Sequence, residues 1–355
     1  MTKNDTSFLE LTPPARQESS LYPDSSAWPA WRKNWARFRV SSREKFPHNF
    51  VDRKITESTS KPQTSATMAA VAKPPTAIVL FDGVVETQHS ELQGCTQLLF
   101  NPETEERMAT VDHATAMASI AVGKTTGFCS AELFSAPVIS SNKNQFEKNL
   151  QHAFEFLPDL VKKYQGRVVF VGTFLAEAST FVDKKIEELL GYGAPVIWAA
   201  GNQGRPISEF SPTRNSDVIT VGGTSFSDSF LWEEKLRSNY GEGLTLLAPA
   251  KYIHAAWNTE KDYNLCSGTS TAAMIVASAC ANKIQKGSAN QQTHSQTHSQ
   301  THSELKKMLI AESTKDILLF PQEVLAPNRL LFYEEATLDQ NMINSVEIYV
   351  DKSEV

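Results

Sequence analysis

The chain has 355 residues, 41% hydrophobic and 21% charged, which suits one large soluble domain with extensions or two modest ones. A formal net charge of -6 argues against nucleic-acid binding as the main role, and no apolar run reaches the roughly 18–20 residues that a membrane-spanning helix needs. The N-terminus shows no apolar core of a secretory leader, and Cys95, Cys129, Cys266 and Cys280 form no closely spaced pair, so a cytoplasmic chain with reduced thiols is expected.

In chain order, residues 1–75 form an extension rich in Ser, Thr, Pro and charge. Within it, 25–46 places Trp28, Trp31, Trp35 and Phe38 at helical spacing, with Arg32, Lys33, Arg37 and Arg39 between them. That pattern predicts a short basic amphipathic helix, either an arm docked on the main domain or a contact for a partner or a membrane surface. Residues 57–75 read as a linker.

From residue 76 the pattern alternates. The runs 76–81, 167–174, 194–202 and 217–223 are short and apolar, as buried parallel strands are. Helices are expected over 112–123, 177–193 and 270–285; the last is almost wholly apolar and therefore central. The expected fold class is α/β: three layers, with a mostly parallel central sheet covered by helices on both faces. The repeat QTHSQTHSQTHS (292–303) aligns His294, His298 and His302, but no carboxylate or cysteine accompanies them. It reads as a solvated insertion, with Ser303 capping the helix that follows, and 337–355 read as a C-terminal tail.

Four polar residues fall where such a sheet gathers chemistry. Ser270 opens the apolar helix, where backbone N–H groups and the helix dipole favour a developing negative charge. A serine nucleophile needs a base and the base an orienting acid. His113 is placed at the start of a small-residue helix, and Asp82 directly follows a buried strand. Asn202, after the strand 194–202, supplies an amide for an oxyanion.

These segments resemble the subtilisin-like serine peptidases, the subtilases. The family's acid motif D-S-G-I-x-x-x-H-P-D-L is similar to DGVVETQHSEL (82–92), and its histidine motif H-G-T-H-V-A-G to HATAMAS (113–119). AAGNQG (199–204) keeps the oxyanion motif whole, and GTSTAAM (268–274) keeps the Gly-Thr-Ser of the serine motif. APNRLLFYE (326–334) resembles the close of the proteinase-K-like branch. The resemblance covers about 76–336 and implies a peptidase domain. In it Ser270 would be the nucleophile, His113 the general base, Asp82 its orienting acid and Asn202 the oxyanion donor. The substrate would be a protein or peptide.

The departures are local. Ala114 and Ala116 replace a glycine and a histidine, Val84 a glycine, and Met274 a proline. Where the family has S-L-G-G, whose backbone pairs with substrate, this chain has Gly172, Thr173 and Phe174, and Phe174 is expected to narrow the groove. The degenerate flanks leave an alternative, the same fold serving as a binding or scaffold module without activity. The family also implies structural calcium, but no carboxylate cluster assigns a site, so no cofactor is expected. The GKT of 123–125 lacks the first glycine and the preceding strand of a phosphate loop, and Ala272 breaks a G-x-S-x-G elbow.

Overall fold

The computed structural model describes residues 35–41, 43, 75–102, 104–225, 227–257, 263–290 and 301–333. Trp28, Trp31, the linker up to residue 74, His294, His298 and the C-terminal tail lie outside the described residues.

The described chain opens with the short helix α1 (Trp35–Val40). The sheet is built from β1 (Ala77–Asp82), β2 (Thr96–Leu98), β3 (Glu132–Pro137), β4 (Val168–Gly172), β6 (Val196–Ala199), β8 (Ile219–Thr224), β9 (Leu246–Pro249), β12 (Thr314–Lys315) and β13 (Arg329–Leu330). Its strand order is β12-β13-β9-β8-β6-β4-β1-β3-β2, parallel throughout except for the edge pair β12–β13. Two small antiparallel pairs lie apart from it: β5 (Ala176–Glu177) with β7 (Phe210–Ser211), and β10 (Ile253–Ala256) with β11 (Tyr263–Cys266).

Every residue of β1, β4, β6, β8 and β9 is buried, as continuous apolar strands in a sheet covered on both faces must be. Alternate side chains serve opposite cores. Ile78, Leu80, Val169, Val171, Ile197 and Ala199 pack with α2 (Thr104–Val122) and α5 (Thr269–Asn290). Val79, Phe81, Phe170, Val196 and Trp198 pack on the other face against α3 (Lys143–Lys163) and α4 (Thr180–Gly191). The three-layer α/β architecture is therefore present.

Several elements differ from expectation. Helix α3 is capped by Asn142, whose side chain accepts from Gln145 N, and it buries Phe146, Leu150, Ala153, Phe154, Leu157 and Leu160. The helix expected over 112–123 begins at Thr104, so His113 lies mid-helix and not at a start. The helix α6 (His302–Glu312) is capped by Thr301 and not by Ser303: the Thr301 hydroxyl accepts from Glu304 N, and the Glu304 carboxylate accepts from Thr301 N at 2.9 Å. His302, expected in solvent, is pinned. Its Nδ1 accepts from Val196 N at 3.1 Å, and its Nε2 donates to Asp217 O at 2.6 Å. The backbone N–H at the entry of β6 needs an acceptor, and this ring supplies it.

Helix α1 docks on the domain. Trp35, Ala36 and Val40 belong to the α2/α5 core, Val40 O accepts from Tyr333 N at 2.7 Å, and Arg39 is fully buried against Asp228. Arg37 donates to Gly127 O and stacks over Phe128 at 4.7 Å. Arg37 and Arg39, which the amphipathic pattern would set on a solvated face, are thus engaged by the domain itself.

Candidate active site

The polar residues singled out above converge at the carboxyl ends of three adjacent strands. Asp82 is the last residue of β1, Thr173 follows β4, and Asn202 follows β6 by three residues. Helix α5 starts against the β6 end, and α2 carries His113 over the β1 end.

Asp82 is fully buried and faces three donors. Its Oδ1 accepts from Gly83 N at 2.6 Å, and its Oδ2 accepts from Thr173 Oγ1 at 2.8 Å. Both oxygens face His113 Nδ1, at 3.0 and 2.7 Å. A carboxylate accepting this many hydrogen bonds holds its partner ring in one orientation. With Nδ1 committed to Asp82, Nε2 is the His113 nitrogen left for proton exchange. Gly83 is required for this approach: a Cβ there would lie 2.2 Å from Thr110 Oγ1 of α2.

Ser270 occupies the first turn of α5 and is buried but not sealed, at 7% exposure. The loop before it is held from two sides. Gly268 N donates to Ala250 O at 2.7 Å, and Ser267 Oγ accepts from Tyr252 N at 3.0 Å. On the other side, Asn202 Oδ1 accepts from Thr269 N at 2.9 Å and from Thr269 Oγ1 at 3.1 Å. A backbone N–H only donates, so this pairing fixes which way the amide faces. Asn202 Nδ2 is left turned along Gly268, 3.1 Å from where a Cβ would stand, and Gly268 at φ +139° carries none. The Asn202 amide therefore lies against Gly268 and Thr269, the residues that lead into Ser270 at the start of α5.

Of the three expected substrate-contacting residues, Phe174 is a correction. Phe174 does not narrow a groove. It is 1% exposed, edge-on to Phe146 and Trp198 with ring centroids 5.0 Å from each, and its carbonyl accepts from Trp198 Nε1 at 2.6 Å. Gly172 makes room for that tryptophan, since a Cβ would lie 2.1 Å from its ring. Thr173 turns its hydroxyl to Asp82. The expectation missed this because the turn after β4, and not the residue types, decides which layer each side chain enters.

The loop 123–127 holds a carboxylate of the protein itself. Glu91 accepts from Thr125 N at 2.8 Å, Thr125 Oγ1 at 2.5 Å and Tyr263 OH at 2.8 Å. Burial pushes its pKa up, but the hydrogen bonds from Thr125, Tyr263 and Thr126 outweigh that and hold it below the usual value. Among the described residues no group of three or more His, Cys, Asp or Glu side chains is placed to hold a metal ion. No described helix is long and apolar enough to cross a membrane.

Residues 82–325 match the subtilase family (Peptidase_S8) model. Among curated proteins, subtilisin-like protease 3 of Pseudogymnoascus destructans is 32% identical over 215 residues, 58% of this chain and 51% of that protein. Proprotein convertase subtilisin/kexin type 9 of Rattus norvegicus is 28% identical over 271 residues, 71% of this chain and 38% of that protein. The chain spans about half, or less, of the length of these relatives. Among solved structures, a cold adapted subtilisin-like serine proteinase superposes with TM-score 0.62 at 21% identity, covering 84% of this chain and 97% of that one. The prenylagaramide maturation protease PagA gives TM-score 0.52 at 20% identity, over 68% and 84% of the two chains. Both share its fold.

Proposed function

The chain belongs to the subtilase family, and from that membership we propose that it is a serine endopeptidase with Ser270 as nucleophile, His113 as general base, Asp82 as orienting acid and Asn202 as oxyanion donor. The observation that carries the reading is the Asp82–His113 pair, buried on the acid side and set at the sheet end where α5 presents Ser270.

In the proposed reaction Ser270 Oγ attacks the scissile carbonyl carbon while His113 Nε2 takes its proton. The carbonyl oxygen becomes an oxyanion, met by Asn202 Nδ2 and Ser270 N. Collapse breaks the C–N bond, and His113 returns the proton to the leaving amine. Water then repeats the sequence on the acyl-serine, with His113 again as base, and frees the acid product. Asp82 stays ionised and stabilises the imidazolium in both halves.

We place the activity in the cytoplasm, as limited cleavage of a specific protein or precursor peptide. Four free cysteines, two of them fully buried, support a reducing compartment. The proposal is tested by incubating wild type and Ser270→Ala with a proteome-derived peptide library and reading new termini by mass spectrometry. Cleavage products confined to wild type support it. Identical spectra from the two proteins contradict it.

A further inference from the structure

Arg237 lies beside Asn202 by backbone pairing. Its N–H donates to Asn202 O at 3.3 Å, and its carbonyl accepts from Gly204 N at 2.9 Å. Residues 202–204 and 237 therefore run side by side as an isolated parallel bridge. The side chain is set by what lies under it. Gly204 stands at φ +66°, and a Cβ there would lie 3.0 Å from Arg237 Cβ and 3.1 Å from Cδ. The stem crosses Gly204, and the guanidinium rests over the Trp232 ring at 5.1 Å from its centroid. Arg237 Nε donates to Glu233 O at 3.0 Å.

The rest of the fork is unspent. Arg237 is exposed, and among the described residues its two terminal nitrogens have no hydrogen-bond partner and no carboxylate within ion-pair distance. Glu233 gives Arg237 only its backbone oxygen, while its carboxylate pairs with Lys251. Other arginines are paired: Arg205 with Glu177 and Glu209, Arg214 with Asp183, and Arg39 with Asp228. A planar fork on a ring, with its stem locked and two nitrogens open, is pre-organised for bidentate binding of a carboxylate.

We propose that Arg237 is a specificity-determining residue that binds a carboxylate of the peptide substrate next to the scissile bond. The inference rests on the peptidase reading for its placement, since Asn202 is the neighbour that borders the reacting carbonyl. The carboxylate comes either from an acidic side chain or from the free C-terminus of a short peptide, and the test separates these sources.

Matched peptides with Asp, Glu, Asn or Gln near the cleaved bond, each with a free or an amidated C-terminus, are cleaved by wild type, Arg237→Gln and Arg237→Glu. Wild type is expected to favour the acidic member of a pair by about fivefold, a ratio that Arg237→Gln abolishes and Arg237→Glu inverts. A preference that follows the free terminus and not the side chain assigns the C-terminal carboxylate. Equal acidic-to-neutral ratios in wild type and Arg237→Gln overturn the proposal. Should wild type cleave nothing, the peptidase reading fails, and binding of the same peptides to Ser270→Ala with and without Arg237→Gln decides the matter. Tighter acidic binding that is lost with Arg237 upholds carboxylate recognition, and equal binding overturns it.

Discussion

Thr173 Oγ1 donates to Asp82 Oδ2 over 2.8 Å, on the same oxygen that His113 Nδ1 approaches at 2.7 Å. The hydroxyl fixes the carboxylate plane on which the imidazole is seated. Thr173→Val keeps the shape and removes only that bond. A hydrogen bond to a charged group is worth about 1.5–3 kcal/mol, so kcat should fall about tenfold or more with KM little changed. Steady-state kinetics on one peptide checks this, and a change confined to KM would contradict it.

Asn202 offers two things at once, an acceptor for Thr269 N and an amide donor against Gly268, two residues before Ser270. Asn202→Ala should lower kcat by about 100–1,000-fold, the usual loss for one oxyanion donor. Asn202→Asp keeps the acceptor for Thr269 and loses the donor, so it should be as slow as the alanine variant while unfolding closer to wild type. Paired kinetics and thermal melts separate the two contributions.

Arg39 and Asp228 tie α1 to the domain as a buried pair, 2.5 Å apart with side chains 0% and 5% exposed. Breaking a buried pair by removing one partner typically costs about 3–5 kcal/mol. Arg39→Met should therefore lower the unfolding free energy by that order, and adding Asp228→Asn should recover part of the loss. Denaturant unfolding of the two variants reads this directly. Additive losses would contradict the pairing.

His302 predicts an acid-side loss of stability. Burial lowers its pKa below the ordinary 6.5, the bond to Asp217 O opposes this, and the Lys306 charge adds to the lowering. The unfolded chain therefore binds the proton first as pH falls. The contribution is complete above about 6.5 and is lost as pH drops from there toward the folded value. Protonation also sets an Nδ1–H against Val196 N–H, which now donates to that atom. Melts between pH 7.5 and 5 should show a fall that His302→Gln flattens.

Much of this site is legible in the sequence, and for a physical reason. Asp82 and Asn202 each follow a run of buried strand residues, and a chain leaving a parallel strand has to place its next polar groups at the sheet's edge. The hydroxyl-rich start of α5 is equally local. The illegible parts depend on tertiary neighbours. Phe174 and Thr173 are adjacent residues, yet one enters the α3/α4 core and the other turns to Asp82. Composition alone makes His302 a surface residue of a repeat, whereas the backbone N–H of Val196 makes it a half-buried acceptor. The role of Thr173 had one available signal, a β-branched hydroxyl one residue past a strand that neighbours the Asp82 strand.

The central claim is that Ser270 is an activated nucleophile, its proton drawn by His113 on Asp82. The most direct measurement is labelling with a fluorophosphonate, followed by mass spectrometry of the modified peptide. The account predicts a single adduct on Ser270 in wild type, no adduct in Ser270→Ala, and labelling slowed by orders of magnitude in His113→Ala. Labelling of wild type at no more than the Ser270→Ala level, with both proteins folded, would contradict it.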